Sequence, residues 1–138
     1  MARLEQLGPY TLAQSPDCFP LGRDSLLLGG FATVRPRWRV CDLGCGSGVL
    51  SLLLLGREPA LALSAVDCHA AAAALCRENL RRNGLEGRVL TGDLRSPGLL
   101  PAGQFDLAVS NPPYFPLGSG GDGGGARMEH GCTLDELC

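Results

Sequence analysis

The sequence contains no lysine: all 12 basic residues are arginine, and the formal charge is −2. A chain so balanced does not attract nucleic acid over its whole surface, so any polyanion contact has to be local. The arginine bias reads as genome composition and carries nothing further. No run approaches the ~20 apolar residues that a membrane-spanning helix needs. A charged-then-apolar leader pattern is also missing, because Pro9, Pro16 and Asp17 interrupt the start. The 7 cysteines include no CxxC pair. Without an export pattern they read as reduced thiols, and the expected location is cytoplasmic. Cys41 and Cys45 have the wrong spacing for zinc, and small buried cysteine is common; no metal site is expected.

What is present is a chain of 138 residues, 45% of them hydrophobic, which bounds it to one domain with a real core. Arg3–Leu7 reads as a short helix or turn and Tyr10–Ala13 as a short strand. Asp24 reads as the cap of a helix running to Phe31. Strands are expected at Trp38–Cys41, Leu61–Val66, Arg88–Thr91 and Phe105–Val109. A buried helix at Val49–Leu55 stops near Gly56 and Pro59. The alanine-rich stretch Ala70–Arg82 predicts a helix, with a Glu78–Arg82 pair four residues apart and Asn83-Gly84 as its stop. Leu134–Cys138 reads as the first turn of a further helix.

This alternation predicts an α/β fold with a parallel sheet and right-handed crossovers. Ligands of such sheets bind beyond the carboxyl ends of the strands, at the switch point. Asp42, Asp67, Asp93 and Asn111 each fall just after a strand, so four polar residues from four strands are expected to converge on one edge.

The stretch DLGCGSG, Asp42–Gly48, places glycines at 44, 46 and 48, where the backbone turns tightly and a ligand can approach it closely. The following helix points its first N–H groups at the same place. The pattern is not GxGxxG, since Val49 stands at the third glycine position, and a dinucleotide pyrophosphate fits it less well. An acidic residue opens the turn, which favours a cation. S-adenosylmethionine, with its sulfonium and ammonium, suits that mouth; an ordinary strand-to-helix turn and NAD binding are the alternatives. Asp67 lies at the separation expected of a carboxylate holding ribose hydroxyls, or else caps the alanine-rich helix. Asp93 reads as an acceptor for an adenine amino group, or as a turn aspartate. His69 and His130 read as surface or helix-end residues.

SNPPYF, Ser110–Phe115, ends the fourth strand, because proline gives no N–H to a ladder. The carbonyl of Asn111 and the free C=O of Pro112 form two acceptors for one planar amino group. Drawing off its hydrogens makes the nitrogen more nucleophilic, and Tyr114 offers a flat face to stack a base. Attack on a sulfonium methyl is a single in-line displacement that needs alignment more than a strong base. The plain alternative is a proline-rich strand terminator.

Together, DLGCGSG, Asp67, Gly92-Asp93 and NPPY at Asn111–Tyr114 resemble the class I S-adenosylmethionine-dependent methyltransferases that modify amino or amide nitrogens. FPLGRDSLLLGGFA, Phe19–Ala32, resembles the bacterial enzymes that methylate the 6-amino group of an anticodon-loop adenine in valine tRNA; ARLEQL is similar to that family's opening segment and ARMEHGCTLDEL to its passage into the next helix. The resemblance implies a Rossmann-like class I methyltransferase fold and S-adenosylmethionine as cofactor. It implies cofactor contacts from Asp42, Gly44, Cys45, Gly46, Gly48, Asp67 and Asp93, and a target-amine site of Asn111, Pro112 and Tyr114. Phe19–Leu28 would cover the cofactor.

The family continues for about three more strands, so the chain is expected to hold the first four core strands, in order 3-2-1-4, of a single domain incomplete at its C-terminus. Within it, 1–35 is the cofactor-covering segment, 36–117 the core, and 118–138 a flexible glycine-rich loop and the start of the next helix. The fourth strand would be a bare edge, which predicts marginal stability, self-association through that strand and weak or absent turnover for the chain alone. The expected partner is tRNA. Arg35, Arg37 and Arg39 form the one tight basic cluster, read equally as a solvated strand start or a phosphate contact. Methylation of a protein glutamine amide, of DNA adenine or of ribosomal guanine, and a non-catalytic cofactor-binding remnant, are the competing readings.

Overall fold

A computed structural model describes residues 3–16, 23–96, 98–100 and 103–111. Pro112, Tyr114, His130, the glycine-rich loop, the C-terminal helix start and Phe19–Gly22 of the covering segment lie outside the described residues.

The chain opens with an antiparallel hairpin of β1 (Arg3–Leu7) and β2 (Tyr10–Gln14), followed by α1 (Arg23–Phe31). Arg3–Leu7 is therefore a strand, not the helix or turn expected of it. Five residues are too few to nucleate a helix, and Gly8-Pro9 folds the chain back so that Leu7 pairs with Tyr10. Asp24 sits inside the first turn of α1 rather than before it; an acidic side chain there still complements the helix dipole.

Then follow β3 (Arg39–Leu43), α2 (Val49–Arg57), β4 (Ala62–Asp67), α3 (Ala70–Arg82), β5 (Arg88–Thr91) and β6 (Leu107–Val109). The four strands form one parallel sheet in the order β5-β4-β3-β6, the 3-2-1-4 order expected. Helix α2 runs through Gly56 and ends at Glu58, which is extended, because the residue before Pro59 is pushed out of the helical region. Arg57, in the last turn, donates to the carbonyls of Gly29 (2.8 Å) and Ala32 (2.6 Å). It thereby ties the end of α1 to the end of α2.

The core lies between the sheet and the helices. Val40, Leu63, Ala65, Val89 and Val109 from the strands join Leu52, Leu54 and Leu55 of α2 and Ala73, Cys76 and Leu80 of α3. Leu54, like Leu52 and Leu55, is fully buried, as expected of a helix with neighbours on every side. The hairpin is fastened to α3 by amide pairs. Asn83 accepts from Thr11 N–H and donates to its carbonyl, and Asn79 does the same with Ala13. No described helix is long and apolar enough to cross a membrane. Among the described residues, β6 pairs only with β3.

Candidate functional site

The parallel register brings the ends of all four sheet strands to one edge. Gly92 N–H donates to Asp67 O (3.0 Å), Gly44 and Cys45 N–H both donate to Val66 O (2.8 and 2.9 Å), and Ser110 Oγ donates to Leu43 O (3.0 Å). Asp42, Asp67, Asp93 and Asn111 thus share one edge, but Asp42 lies within β3 and Asp67 ends β4 instead of following them, because both strands run past the bounds expected of them. Arg39 opens β3 and so lies at the opposite end. Arg35 and Arg37 precede it, with Arg37 N–H bound to Ala60 O, so the basic cluster stands away from the site.

The glycine turn between β3 and α2 divides by function. Gly44 and Gly46 have φ of +70° and +55°, and a Cβ at either would meet nothing within 4 Å. They face open space, which a ligand can use. Gly48, at φ +94°, is different: a Cβ there would stand 2.8 Å from Cys76 Sγ. It lets α3 pack closely rather than letting a ligand approach. Cys45 is buried against Cys76, and that contact together with burial pushes its thiol far above the ordinary range. Burial also raises Cys41, to about 12. Both are poor nucleophiles.

Asp42 departs from the sequence reading. It is 1% exposed, a buried acid near the end of β3 and not one at an open mouth. Ser51 Oγ donates to its Oδ2 (2.7 Å), while its Oδ1 is buried with no partner. Burial raises its pKa from 3.8 to about 6, against the lowering by Ser51. An unsatisfied buried carboxylate oxygen beside two open glycines fits a ligand that brings a cation, and the donor set is therefore compatible with S-adenosylmethionine.

Asp67 braces the turn. Its Oδ2 accepts from Gly46 N–H (2.9 Å) and its Oδ1 from His69 N–H (2.9 Å). It does not cap α3; His69 occupies that position, and its ring stands 3.3 Å from Asp67 Oδ1. The carboxylate has lone pairs left over for hydroxyl donors. Asp93 forms a turn in which its carboxylate takes the backbone N–H and the guanidinium of Arg95, and that cation lowers its pKa to about 2.

At the end of β6, Asn111 Nδ2 donates to Ser25 Oγ (2.6 Å). In this arrangement the amide nitrogen is turned to α1, and the carbonyl oxygen is left to accept. Ser25 was not singled out by sequence reasoning. The available signal was its position in the Phe19–Ala32 block, but nothing in that block names its partner 86 residues away.

Comparison with known proteins places the chain in a family. The family model described as methyltransferase small domain matches residues 24–119. The ribosomal RNA small subunit methyltransferase C of Erwinia tasmaniensis is 37% identical over 113 residues, covering 78% of this chain and 32% of that protein. The tRNA1(Val) (adenine(37)-N6)-methyltransferase of Cronobacter sakazakii is 38% identical over 112 residues, covering 79% of this chain and 46% of that protein. Among solved structures, the T. thermophilus 16S rRNA N2 G1207 methyltransferase in complex with AdoMet and guanosine superposes with a TM-score of 0.66 at 27% identity. It covers 86% of this chain and 34% of that one. The chain spans between about a third and a half of the length of these relatives.

Proposed function

The chain belongs to the methyltransferase small domain family, and from that premise we propose that it binds S-adenosylmethionine at the glycine turn and serves methyl transfer to the exocyclic amino group of an RNA base. The first reading of the acceptor is adenine in the anticodon loop of valine tRNA, supported by the block around Ser25 and by the Cronobacter relative. The observation that carries the proposal is the Ser25–Asn111 hydrogen bond, because it presents a carbonyl acceptor at the same strand edge as the open glycines.

S-adenosylmethionine supplies an electrophilic methyl on a positively charged sulfur. The chain's own residues bind and orient. Gly44 and Gly46 give backbone access; Asp42 Oδ1 is the acceptor for the ammonium; Asp67 serves the ribose hydroxyls while holding Gly46. Asp93 serves the adenine amino group, sharing its carboxylate with Arg95. The segment 1–35 covers the donor, with Ser25 as its link to the acceptor corner. Asn111 Oδ1 takes one N–H of the target amine, with Pro112 C=O taking the other and Tyr114 stacking the base. No strong base is required, since holding the amine in line supplies several kcal/mol.

A second reading is methylation of a guanine amino group in small-subunit rRNA. It is favoured by the Erwinia relative and by the superposition on the T. thermophilus structure that holds guanosine. One experiment separates them: label transferred from S-adenosylmethionine to undermodified tRNA and to small-subunit rRNA, followed by nucleoside digestion. N6-methyladenosine from tRNA is the expected product, and N2-methylguanosine would replace the first reading with the second. Label on a protein glutamine amide, or on neither RNA, would end the RNA proposal.

A further inference from the structure

Among the described residues, three buried side-chain polar atoms have no hydrogen-bond partner, and they sit on only two residues: Gln14, with both Nε2 and Oε1 unpaired, and Asp42, with Oδ1. Gln14 is 4% exposed. An amide buried with its donors and its acceptor unmet costs about 1–3 kcal/mol, and such groups are rare enough to demand a reason. Leu12, two residues earlier and on the same face of the strand, is an apolar core residue, so an apolar side chain of similar size at 14 would continue that face without the penalty.

The position supplies the reason. Asn79 Nδ2 donates to Ala13 O (2.9 Å) and to Ser47 O (2.8 Å). A single amide therefore joins the end of β2 to the glycine turn, one residue before Gln14. Asp42 lies in β3, the strand that leads into the same turn. The two unsatisfied residues thus belong to the two strands that meet at the turn, β2 through the Ala13 bridge and β3 directly. Between them they offer an N–H donor and two acceptors, a set suited to a group bearing both a carboxylate and an ammonium.

We propose that Gln14 is a binding residue for the amino-acid end of S-adenosylmethionine, its Nε2 donating to the carboxylate and its Oε1, with Asp42 Oδ1, accepting from the ammonium. The assignment rests on the glycine turn being the donor site. Asp67 and Asp93, on β4 and after β5, serve the nucleoside end, which leaves the β3 side of the turn for the amino acid.

The test is Gln14→Leu, with Gln14→Met as a second variant of similar size. Calorimetric titration with S-adenosylhomocysteine and with methylthioadenosine, which lacks the amino-acid end, reads the site. Unfolding without ligand reads the fold. The variants are expected to bind S-adenosylhomocysteine about tenfold or more weakly, to bind methylthioadenosine as the wild type does, and to have an unchanged or raised Tm. A structural glutamine would lower Tm and weaken both ligands alike, which overturns the proposal. Equal binding of S-adenosylhomocysteine by wild type and variants overturns it alone, leaving the donor site intact. A wild-type chain that binds neither ligand overturns the donor-site reading and the Gln14 assignment with it.

Discussion

The two halves of the candidate site are held in different ways. The donor half is fastened within the parallel core, by Val66 O to Gly44 and Cys45, by Asp67 to Gly46, by Ser51 to Asp42, and by the close approach of Cys76 to Gly48. Among the described residues, the acceptor half is held by two side-chain bonds, from Ser110 to Leu43 O of the core and from Asn111 to Ser25 on α1. Under the proposed function, the core fixes where a donor lies, and the N-terminal helix helps to align the attacking amine with it. A change on the first side should be read in binding or stability, and a change on the second in turnover.

Asn111→Ala and Asp67→Ala should divide most sharply. The asparagine variant is expected to lose transfer by about 100-fold or more, the scale of a misplaced reacting group, while keeping its affinity for the donor. The aspartate variant releases Gly46 and His69 N–H together and should weaken donor binding. Single-turnover transfer and calorimetry on both variants measure this. Equal binding losses in the two would erase the division of labour.

Gly48→Ala probes the donor half through stability. Left-handed backbone costs an alanine about 1–2 kcal/mol, and the 2.8 Å approach to Cys76 Sγ adds overpacking of about 1–3 kcal/mol. Adding Cys76→Ala should recover the second part only. Gly44→Ala, which faces open space, should show only the first. Denaturant unfolding of the four proteins checks the separation; identical losses at 44 and 48 would mean that Gly48 has no packing role.

Asp42 adds a pH test. Its folded pKa is raised from 3.8 to about 6 by burial, so the folded state holds the proton more tightly than the unfolded chain. The resulting stability is fully present below about pH 4 and is lost as pH rises through about 6, by up to about 3 kcal/mol. Asp42→Asn should flatten that slope. A cationic donor favours the carboxylate, so its binding should tighten as pH rises through the same window, with opposite sign. Asn111 and Ser25 do not titrate there, and the transfer step after binding should stay level. Tm at pH 5 and 7.5, with and without donor, distinguishes these slopes; donor binding that weakens as pH rises through 6 would remove Asp42 as the ammonium acceptor.

Legibility in the sequence follows the range of the interaction. The glycine turn and the strand-end acids could be read because a tight turn demands particular residue types locally, and α3 because an alanine run is helical in any context. The parallel sheet followed from connection rules, whereas its order was legible only through the family resemblance. Arg3–Leu7 could not be read, since a five-residue strand owes its existence to Tyr10–Gln14 across the hairpin. Asp42 was readable as an acid beside the turn but not as a buried one, because burial depends on α2 folding back to present Ser51. Gln14 carried no local signal at all; its significance arises only when the Asn79 bridge brings β2 to Ser47. Ser25 is the same case over a longer span.

Ser25→Ala should have the smallest effect and the most specific one. It removes the acceptor that turns Asn111 Nδ2 toward α1, and a hydrogen bond of this kind is worth about 1 kcal/mol net. The amide is then free to face either way, and the carbonyl meets the target amine for only part of the time. Transfer should fall by up to about twofold, since an amide free to face either way is productive about half the time, with donor affinity unchanged and Tm shifted little. Ser25→Thr retains the hydroxyl and should retain the rate. If alanine and threonine transfer equally well, something other than α1 aims Asn111, and the dependence of the acceptor half on the N-terminal helix is gone.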